Sequence, residues 1–255
     1  MPAEFPVRRL LITGASGVVG QVAVQALVER GHRVRAFDRV AGSGAHEQVV
    51  GDLTDADALL MAARDMDCVI HLAAFPDEAD FLTTLLPSNV IGLHNVLEAA
   101  RKGGVQRVIL ASSGQVNWDQ LHAGPWPVRV DDPVQPRAWY ALTKILAEQA
   151  GYVYWKRHGM DMLVVRLGTV VRSAAHAREV LEHEVSPDVY LARSDAADFF
   201  IRAVEFGPGF GFKIVFASSK PVIRERYDSE PARKLLGFDP RCRWPQGVEH
   251  FLQES

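Results

Sequence analysis

The chain has 255 residues, 48% of them hydrophobic and 23% charged, with a formal net charge of -3. This is the composition of an ordinary soluble globular protein, with no basic surplus to bind nucleic acid. No apolar run approaches the roughly 18 residues of a membrane span. The N-terminal "MPAEFPVRRL" has neither the charged start nor the apolar core of a signal peptide.

In chain order, "RRLLIT" (8–13) is an apolar run of strand length, and "GVVGQVAVQALVERG" (17–31) has helical length and a terminal glycine as cap. "HRVRAFD" (32–38) and "HEQVVGD" (46–52) read as strands, and "DADALLMAAR" (55–64) as a helix. "DCVIHLAA" (67–74) is a fourth strand. Residues 81–104 are helical, with Pro87 as a point of breakage, and "VQRVILASS" (105–113) is a fifth strand. Residues 114–137 hold four prolines and two glycines and read as a long loop, a common place for function. A helix over 138–159 and a strand over 160–168 follow. Beyond them the pattern loosens to a helix (194–206), a strand (211–219) and a short helix (229–238). Strands that are continuously apolar and alternate with helices imply an α/β fold with a doubly wound parallel sheet, covered on both faces.

Gly14, Gly17 and Gly20 in "TGASGVVG" stand between the first strand and the first helix. Without a Cβ the backbone can approach a pyrophosphate, and a helix N-terminus offers unpaired N–H groups to it. The plainer reading is a tight turn that lets strand and helix pack. Asp38 ends the second strand, 18 residues past Gly20, where an acid can accept from a ribose hydroxyl. The neighbouring Arg39 could receive a 2′-phosphate, but Asp38 would repel it, which favours NAD without excluding NADP. Tyr140 and Lys144 are four apart on one helical face. An ammonium beside a phenol favours the phenolate, so Tyr140 could exchange a proton with a substrate oxygen as hydride moves. Ser112 and Ser113 end the fifth strand, where ligands of parallel sheets bind.

"TGASGVVG", the aspartate of "AFD", "GDLTD", "HLAA", "NVIGLHNVLEAA", "ILASS" and "YALTK" follow one another as in the extended short-chain dehydrogenase/reductase family, the NAD-dependent epimerase/dehydratase group. The chain resembles that family strongly over residues 8–170. The resemblance implies a single Rossmann-type domain over 1–255, with 169–255 forming a small substrate-binding part. It implies that Gly14, Ser16, Gly17, Val18 and Gly20 line the pyrophosphate, and that Asp38 and Arg39 meet the adenosine ribose. Asp52 and Leu53 would lie at the adenine, Leu72, Ala73 and Ala74 under the phosphates and nicotinamide ribose, and Asn89 near the cofactor. Ser113, Tyr140 and Lys144 would be the catalytic set, with Tyr140 as acid/base.

Within the family the chain is most similar to the uronate dehydrogenases. That likeness places Ser113, Gly114, Gln115, Tyr140, Thr169 and Arg178 around a substrate, with Arg178 on its carboxylate and Arg172 and Arg193 as other candidates. Gly114 and Gln115 stand where those enzymes carry an Asn-His pair that contacts the sugar, so the expected asparagine hydrogen bonds are absent. The implied activity is NAD-dependent oxidation of a secondary alcohol or hemiacetal of a small sugar, sugar acid or polyol. An epimerase or dehydratase with tightly held NAD and a non-catalytic dinucleotide sensor are the alternatives. A homodimer through helices 81–104 and 138–159, with no membrane partner, is the family's expectation.

His176 and His183, with Glu179, Glu182 and Glu184, match no metal-ligand spacing and read as a solvated charged stretch, so no metal is expected. His71 reads as a packed strand-end histidine. Trp118, Trp126 and Trp139 either wall a pocket or anchor the proline-rich loop. Two cysteines, Cys68 and Cys242, suit a reducing cytoplasm.

Overall fold

Apolar runs with no alternation need cover on both faces, and the chain supplies it. The computed structural model describes residues 5–253. Among these residues there are seven strands: β1 (Arg9–Thr13), β2 (Arg33–Asp38), β3 (Glu47–Val50), β4 (Cys68–His71), β5 (Arg107–Ser113), β6 (Asp161–Leu167) and β7 (Phe212–Ala217). All pair in parallel, in the order β3-β2-β1-β4-β5-β6-β7. The chain winds outward from β1 to β3, then crosses back to β4 beside β1. That reversal opens a crevice at the carboxyl ends of β1 and β4.

The helices are α1 (Val18–Glu29), α2 (Ala56–Ala63), α3 (Gly92–Lys102), α4 (Trp118–Ala123) and α5 (Trp139–His158). After β6 come α6 (Ala174–Glu182), α7 (Arg193–Glu205), α8 (Glu230–Leu236) and α9 (Glu249–Gln253). Leu27 of α1 and Phe199 and Phe200 of α7 pack with Ile12 and Ile70 on one face of the sheet. Leu59 of α2, Leu97 of α3 and Tyr154 of α5 pack with Val69 and Val108 on the other. Each fully buried aliphatic or aromatic side chain contributes roughly 1.5–3 kcal/mol.

Three expectations change. Residues 81–104 do not break at Pro87. Phe81–Ile91 wind as a π-helix that runs directly into α3. Proline lacks the N–H and crowds the carbonyl four residues back, and the wider i→i+5 winding accommodates both. The segment after β5 is only partly a loop. The Ser113 hydroxyl accepts from the Gln115 N–H at 3.2 Å and starts a 3-10 turn over Gly114–Asn117, which leads into α4. Finally, β6 is followed by a further helix, α6, whose N-cap is Ser173.

Two arginines in the strands are buried, against the usual pattern for the residue type. Arg107 of β5 donates to the carbonyls of Ala203 and Val204 and, at 2.8 Å, to Gly207. It thereby satisfies the carbonyl end of α7. Arg166 of β6 faces the other way and belongs to the site.

Candidate functional site

The crevice at the strand ends widens into a cavity of about 1120 Å³. Its floor at one end is the loop between β1 and α1. The three glycines do different things there. Gly14 has φ +73°, and a Cβ on it would lie 2.7 Å from Ala73 Cα at the end of β4. Gly20 packs α1 onto the same turn, and a Cβ there would run into the Gly14 carbonyl and the Ala15 backbone. For Gly20 the packing reading is therefore correct. Gly17 is the N-cap of α1, with no side chain bonded to the helix's first N–H groups. A Cβ on Gly17 would meet only the Gly14 carbonyl, at 3.3 Å. The N-terminus of α1 thus presents unfilled donors and its positive dipole end to the cavity, and Ser16, Val18 and Gly20 line it too. That donor set fits a pyrophosphate.

Asp38 accepts from the Ser16 N–H at 2.9 Å, so its carboxylate is fixed at the rim of this cradle, with the exposed Arg39 beside it. The N–H and hydroxyl of Thr54 hold the Asp52 carboxyl below the usual carboxylate range. Leu53, Leu72, Ala73 and Ala74 line the cavity between these acids and the end of β4. Asn89 does not line it. Its side chain is buried, accepts from the Phe75 N–H at 2.7 Å and donates to the Phe75 carbonyl and to the Thr143 hydroxyl. It pins the loop after β4 to α5, and so acts on the cavity through its wall.

At the other end the strand terminus and α5 bring Ser113, Tyr140 and Lys144 to one wall. Successive strand residues face opposite ways, which separates the two serines. Ser112 spends its hydroxyl on Glu148 at 2.6 Å, while Ser113 turns toward Tyr140. Burial pushes the Tyr140 phenol up to about 12. The Ser113 hydroxyl opposes this, Asp77 adds to it and Arg172 opposes it. Lys144 differs from the expectation. Its ammonium lies 5.6 Å from the Tyr140 ring centroid and donates to the Ala111 carbonyl at 3.1 Å. Burial pushes the lysine down to about 8, and Ser113 rather than Lys144 is the group that most favours the phenolate. His71 is buried beneath this wall, shares a hydrogen bond with Thr13 at 2.7 Å, and is pushed down to about 3 by burial and then by Lys144.

A buried network holds these groups. Arg166 donates to both Glu148 oxygens at 2.9 Å and to Asn117 Oδ1 at 2.9 Å. It thereby joins β6, α5 and the turn after β5. Sequence reading missed Asn117, Glu148 and Arg166. A buried arginine paired with a carboxylate across 18 residues has no local signature. A charged residue in an apolar strand was the one available hint.

Gly114 and Gln115 both line the cavity, as does Thr169, whose N–H donates to the Val189 carbonyl at 2.8 Å. The space above Gly114 is filled by Tyr227, which also lines the cavity. A Cβ on Gly114 would lie 2.6 Å from Tyr227 Cζ and closer still to its hydroxyl.

Arg178 does not reach the cavity. The face of α6 that lines it carries His176, Glu179 and Val180, continued by His183 just past its end, and Arg178 is exposed on the opposite face. Arg172 does line the cavity, and its guanidinium is paired with Asp77 at 2.7 Å. Arg193 begins α7 away from the lining. His176 and His183 line the cavity too, His176 partly buried and His183 exposed, so the stretch is both solvated and part of the cavity rim. Among the described residues no group of three or more His, Cys, Asp or Glu is placed to hold a metal. The tryptophans divide: Trp118 lines the cavity, stacked on His122. Trp126 anchors the loop through the Leu121 carbonyl, and Trp139 is exposed against Phe81.

Comparison with known proteins supplies a lineage for this arrangement. Residues 10–186 match the model of the NAD dependent epimerase/dehydratase family. The chain is 32% identical over 211 residues to an L-arabinose 1-dehydrogenase (NAD(P)(+)) of Haloferax volcanii, covering 79% of this chain and 78% of that protein. It is 29% identical over 220 residues to a uronate dehydrogenase of Pseudomonas syringae pv. tomato, covering 85% and 76%. Among solved structures it resembles a glucuronic acid dehydrogenase from Chromohalobacter salexigens, with TM-score 0.79 and 27% identity over 98% of this chain and 90% of that one.

Proposed function

The chain belongs to the NAD dependent epimerase/dehydratase family, and from that premise we propose that it is an NAD-dependent dehydrogenase oxidising a hemiacetal or secondary alcohol of a small sugar. The observation that carries this reading is the convergence of Ser113, Tyr140 and Lys144 on one cavity wall, opposite the uncapped N-terminus of α1. The named relatives oxidise an aldose and a uronate, which favours dehydrogenation over epimerisation. A proton-exchanging phenol has no role in a sensor.

In this reading Gly14, Ser16, Gly17 and Val18 hold the pyrophosphate, Asp38 the adenosine ribose, and Asp52 and Leu53 the adenine. Bound NAD supplies the hydride acceptor. Ser113 orients the substrate oxygen. Tyr140 takes the hydroxyl proton as the C–H bond breaks, and the Ser113 hydroxyl favours the phenolate, while the buried Lys144 is held under the ring by the Ala111 carbonyl. Residues after β6 supply the opposite wall through Thr169, Arg172 and Tyr227. The whole chain acts as one domain in this reading. A uronate carboxylate would have to compete with Asp77 for the Arg172 guanidinium, which favours a neutral aldose.

Two further features of the reading have physical support. Leu82 and Ile91 before α3, with Trp139, Leu142, Leu146 and Val153 of α5, are exposed apolar side chains that suit a homodimer through these helices. Cys68 and Cys242 are free thiols, which suits a cytoplasmic setting.

The test is steady-state NADH production over a panel of aldoses, uronates and polyols, with wild type and Tyr140→Phe. Wild type is expected to reduce NAD with an aldose. Tyr140→Phe is expected to lose about 10²–10⁴-fold in kcat while still binding NADH. Near-normal kcat in that variant would end the mechanism, and bound NAD with no net NADH would favour an epimerase.

A further inference from the structure

We propose that Tyr227 is the residue that reads the sugar beside the reacting carbon, its phenol hydroxyl hydrogen-bonding a substrate hydroxyl adjacent to the one Ser113 orients. This rests on the sugar-dehydrogenase reading and names the side chain that gives it selectivity.

The argument starts at Gly114, the residue after Ser113. Its Cα is covered by the Tyr227 ring edge and hydroxyl, so closely that no side chain fits there. Position 114 is thus glycine because Tyr227 occupies the volume that a side chain at 114 would take. The polar group next to Ser113 is delivered from a distant part of the chain, 10 residues beyond the end of β7. The atoms that follow Ser113 flank the substrate oxygen that Ser113 would orient, within reach of a hydroxyl on a neighbouring carbon, and Tyr227 is the side chain over them.

The phenol is also held rigidly. Its ring is stacked on Phe216 at 4.3 Å between centroids and 9° between planes. The Arg166 guanidinium lies over the Phe216 ring at 5.3 Å, which links this stack to the Glu148 network behind Ser112. On either side of Tyr227, backbone hydrogen bonds join the chain to Val128: Val128 N–H to the Arg226 carbonyl at 2.8 Å, and Asp228 N–H to the Val128 carbonyl at 2.9 Å. A buried aromatic with both its ring and its backbone fixed has little rotamer entropy left to lose when a ligand binds.

Phenylalanine would satisfy the stack on Phe216 equally well. What tyrosine adds is an oxygen on the cavity wall beside Gly114 that both donates and accepts. A neutral polyol or aldose presents hydroxyls of the same dual character. A site built to bond such a hydroxyl rejects analogues lacking it, because its own buried polar atom is then unpaired.

The experiment compares wild type with Tyr227→Phe on the best aldose from the panel and on its monodeoxy analogues. Tyr227→Phe is expected to raise KM about tenfold with a smaller change in kcat, and to leave NADH affinity unchanged by fluorescence titration. One monodeoxy sugar is expected to be used equally by both proteins, because the bond is already missing in each. Gly114→Ala, which forces the phenol aside without deleting it, is expected to show the same KM rise. Unchanged KM in Tyr227→Phe, or a loss that is equal on every analogue, overturns the inference while leaving the dehydrogenase reading in place. Absence of sugar turnover by wild type overturns both.

Discussion

Glu148 accepts from the Ser112 hydroxyl at 2.6 Å with the same carboxylate that receives the Nε and Nη2 donors of Arg166. Glu148 lies one helical turn past Lys144, and Ser112 is next to Ser113. One buried ion pair therefore sets the register between the helix that carries Tyr140 and Lys144 and the strand that ends in Ser113. Glu148→Ala leaves Arg166 buried without its counter-charge. The expected loss is about 3–5 kcal/mol, read as a lowered urea midpoint at constant slope. The double variant Glu148→Ala/Arg166→Met removes the orphan charge and is expected to recover part of that loss. If the single variant unfolds at the wild-type midpoint, the pair is not what holds α5 to β5 and β6.

Asp77 and Arg172 act on Tyr140 with opposite signs. Asp77 raises the phenol's pKa and Arg172 lowers it. Oxidation needs the phenolate to take a proton. Asp77→Asn removes a negative charge that disfavours the phenolate, so the acid limb of kcat/KM moves to lower pH. Arg172→Gln removes the opposing positive charge and moves the limb to higher pH. Both groups are about half exposed, so each shift is expected to be a fraction of a pH unit. Shifts of the same sign in both variants would contradict this account.

The glycines of the first turn separate stability from binding. Gly20→Ala drives a methyl group into the Gly14 and Ala15 backbone, where no side chain can yield. It is expected to cost about 1–3 kcal/mol and lower the melting temperature, as overpacking does. Gly17→Ala meets one carbonyl at 3.3 Å, a contact that needs a small adjustment, and is expected to melt near wild type. Its methyl group stands in the cradle, so NADH affinity is expected to fall about tenfold or more by fluorescence titration. The reverse pattern would mean that Gly17 and not Gly20 is the packing residue.

The sheet was legible from residues 8 to 168 because parallel strands covered on both faces leave continuous apolar runs between helices. The cradle was legible because Gly14, Gly17 and Gly20 are local in sequence. What escaped were contacts between distant segments. The Glu148–Arg166 pair, the Asn89 clasp on Phe75 and the Tyr227 ring over Gly114 each depend on how elements stack. Spacing carries no trace of that. Arg178 shows what an offset along the chain leaves out. Its offset from β6 resembles that of a substrate arginine, but a helix rotates each residue by about 100°, and two positions past His176 Arg178 stands on the side of α6 away from the cavity. Residues 81–91 show a local rule giving way. Proline breaks an α-helix, and here the chain widened instead.

Asp38 and Arg39 make the choice of coenzyme testable. Asp38 stands at the end of β2 with its carboxylate on the Ser16 N–H, and Arg39 lies next to it on the cavity rim. A 2′-phosphate placed near Asp38 would meet a negative charge, which at about 4 Å costs on the order of 1–4 kcal/mol in a partly solvated site. Arg39 offsets some of that by offering a donor to the same phosphate. The wild-type preference is therefore expected to be NAD over NADP, with NADP still used. Asp38→Ser keeps an acceptor for the Ser16 N–H while removing the charge, so the cradle should survive. The ratio of kcat/KM for NADP to that for NAD is expected to rise about tenfold or more, with most of the change in KM for NADP. Arg39→Ala made on the Asp38→Ser background is expected to reverse that gain, because the donor left for the phosphate is then gone. If the ratio stays fixed in Asp38→Ser, the carboxylate does not face the ribose, and its role is confined to holding the Ser16 turn.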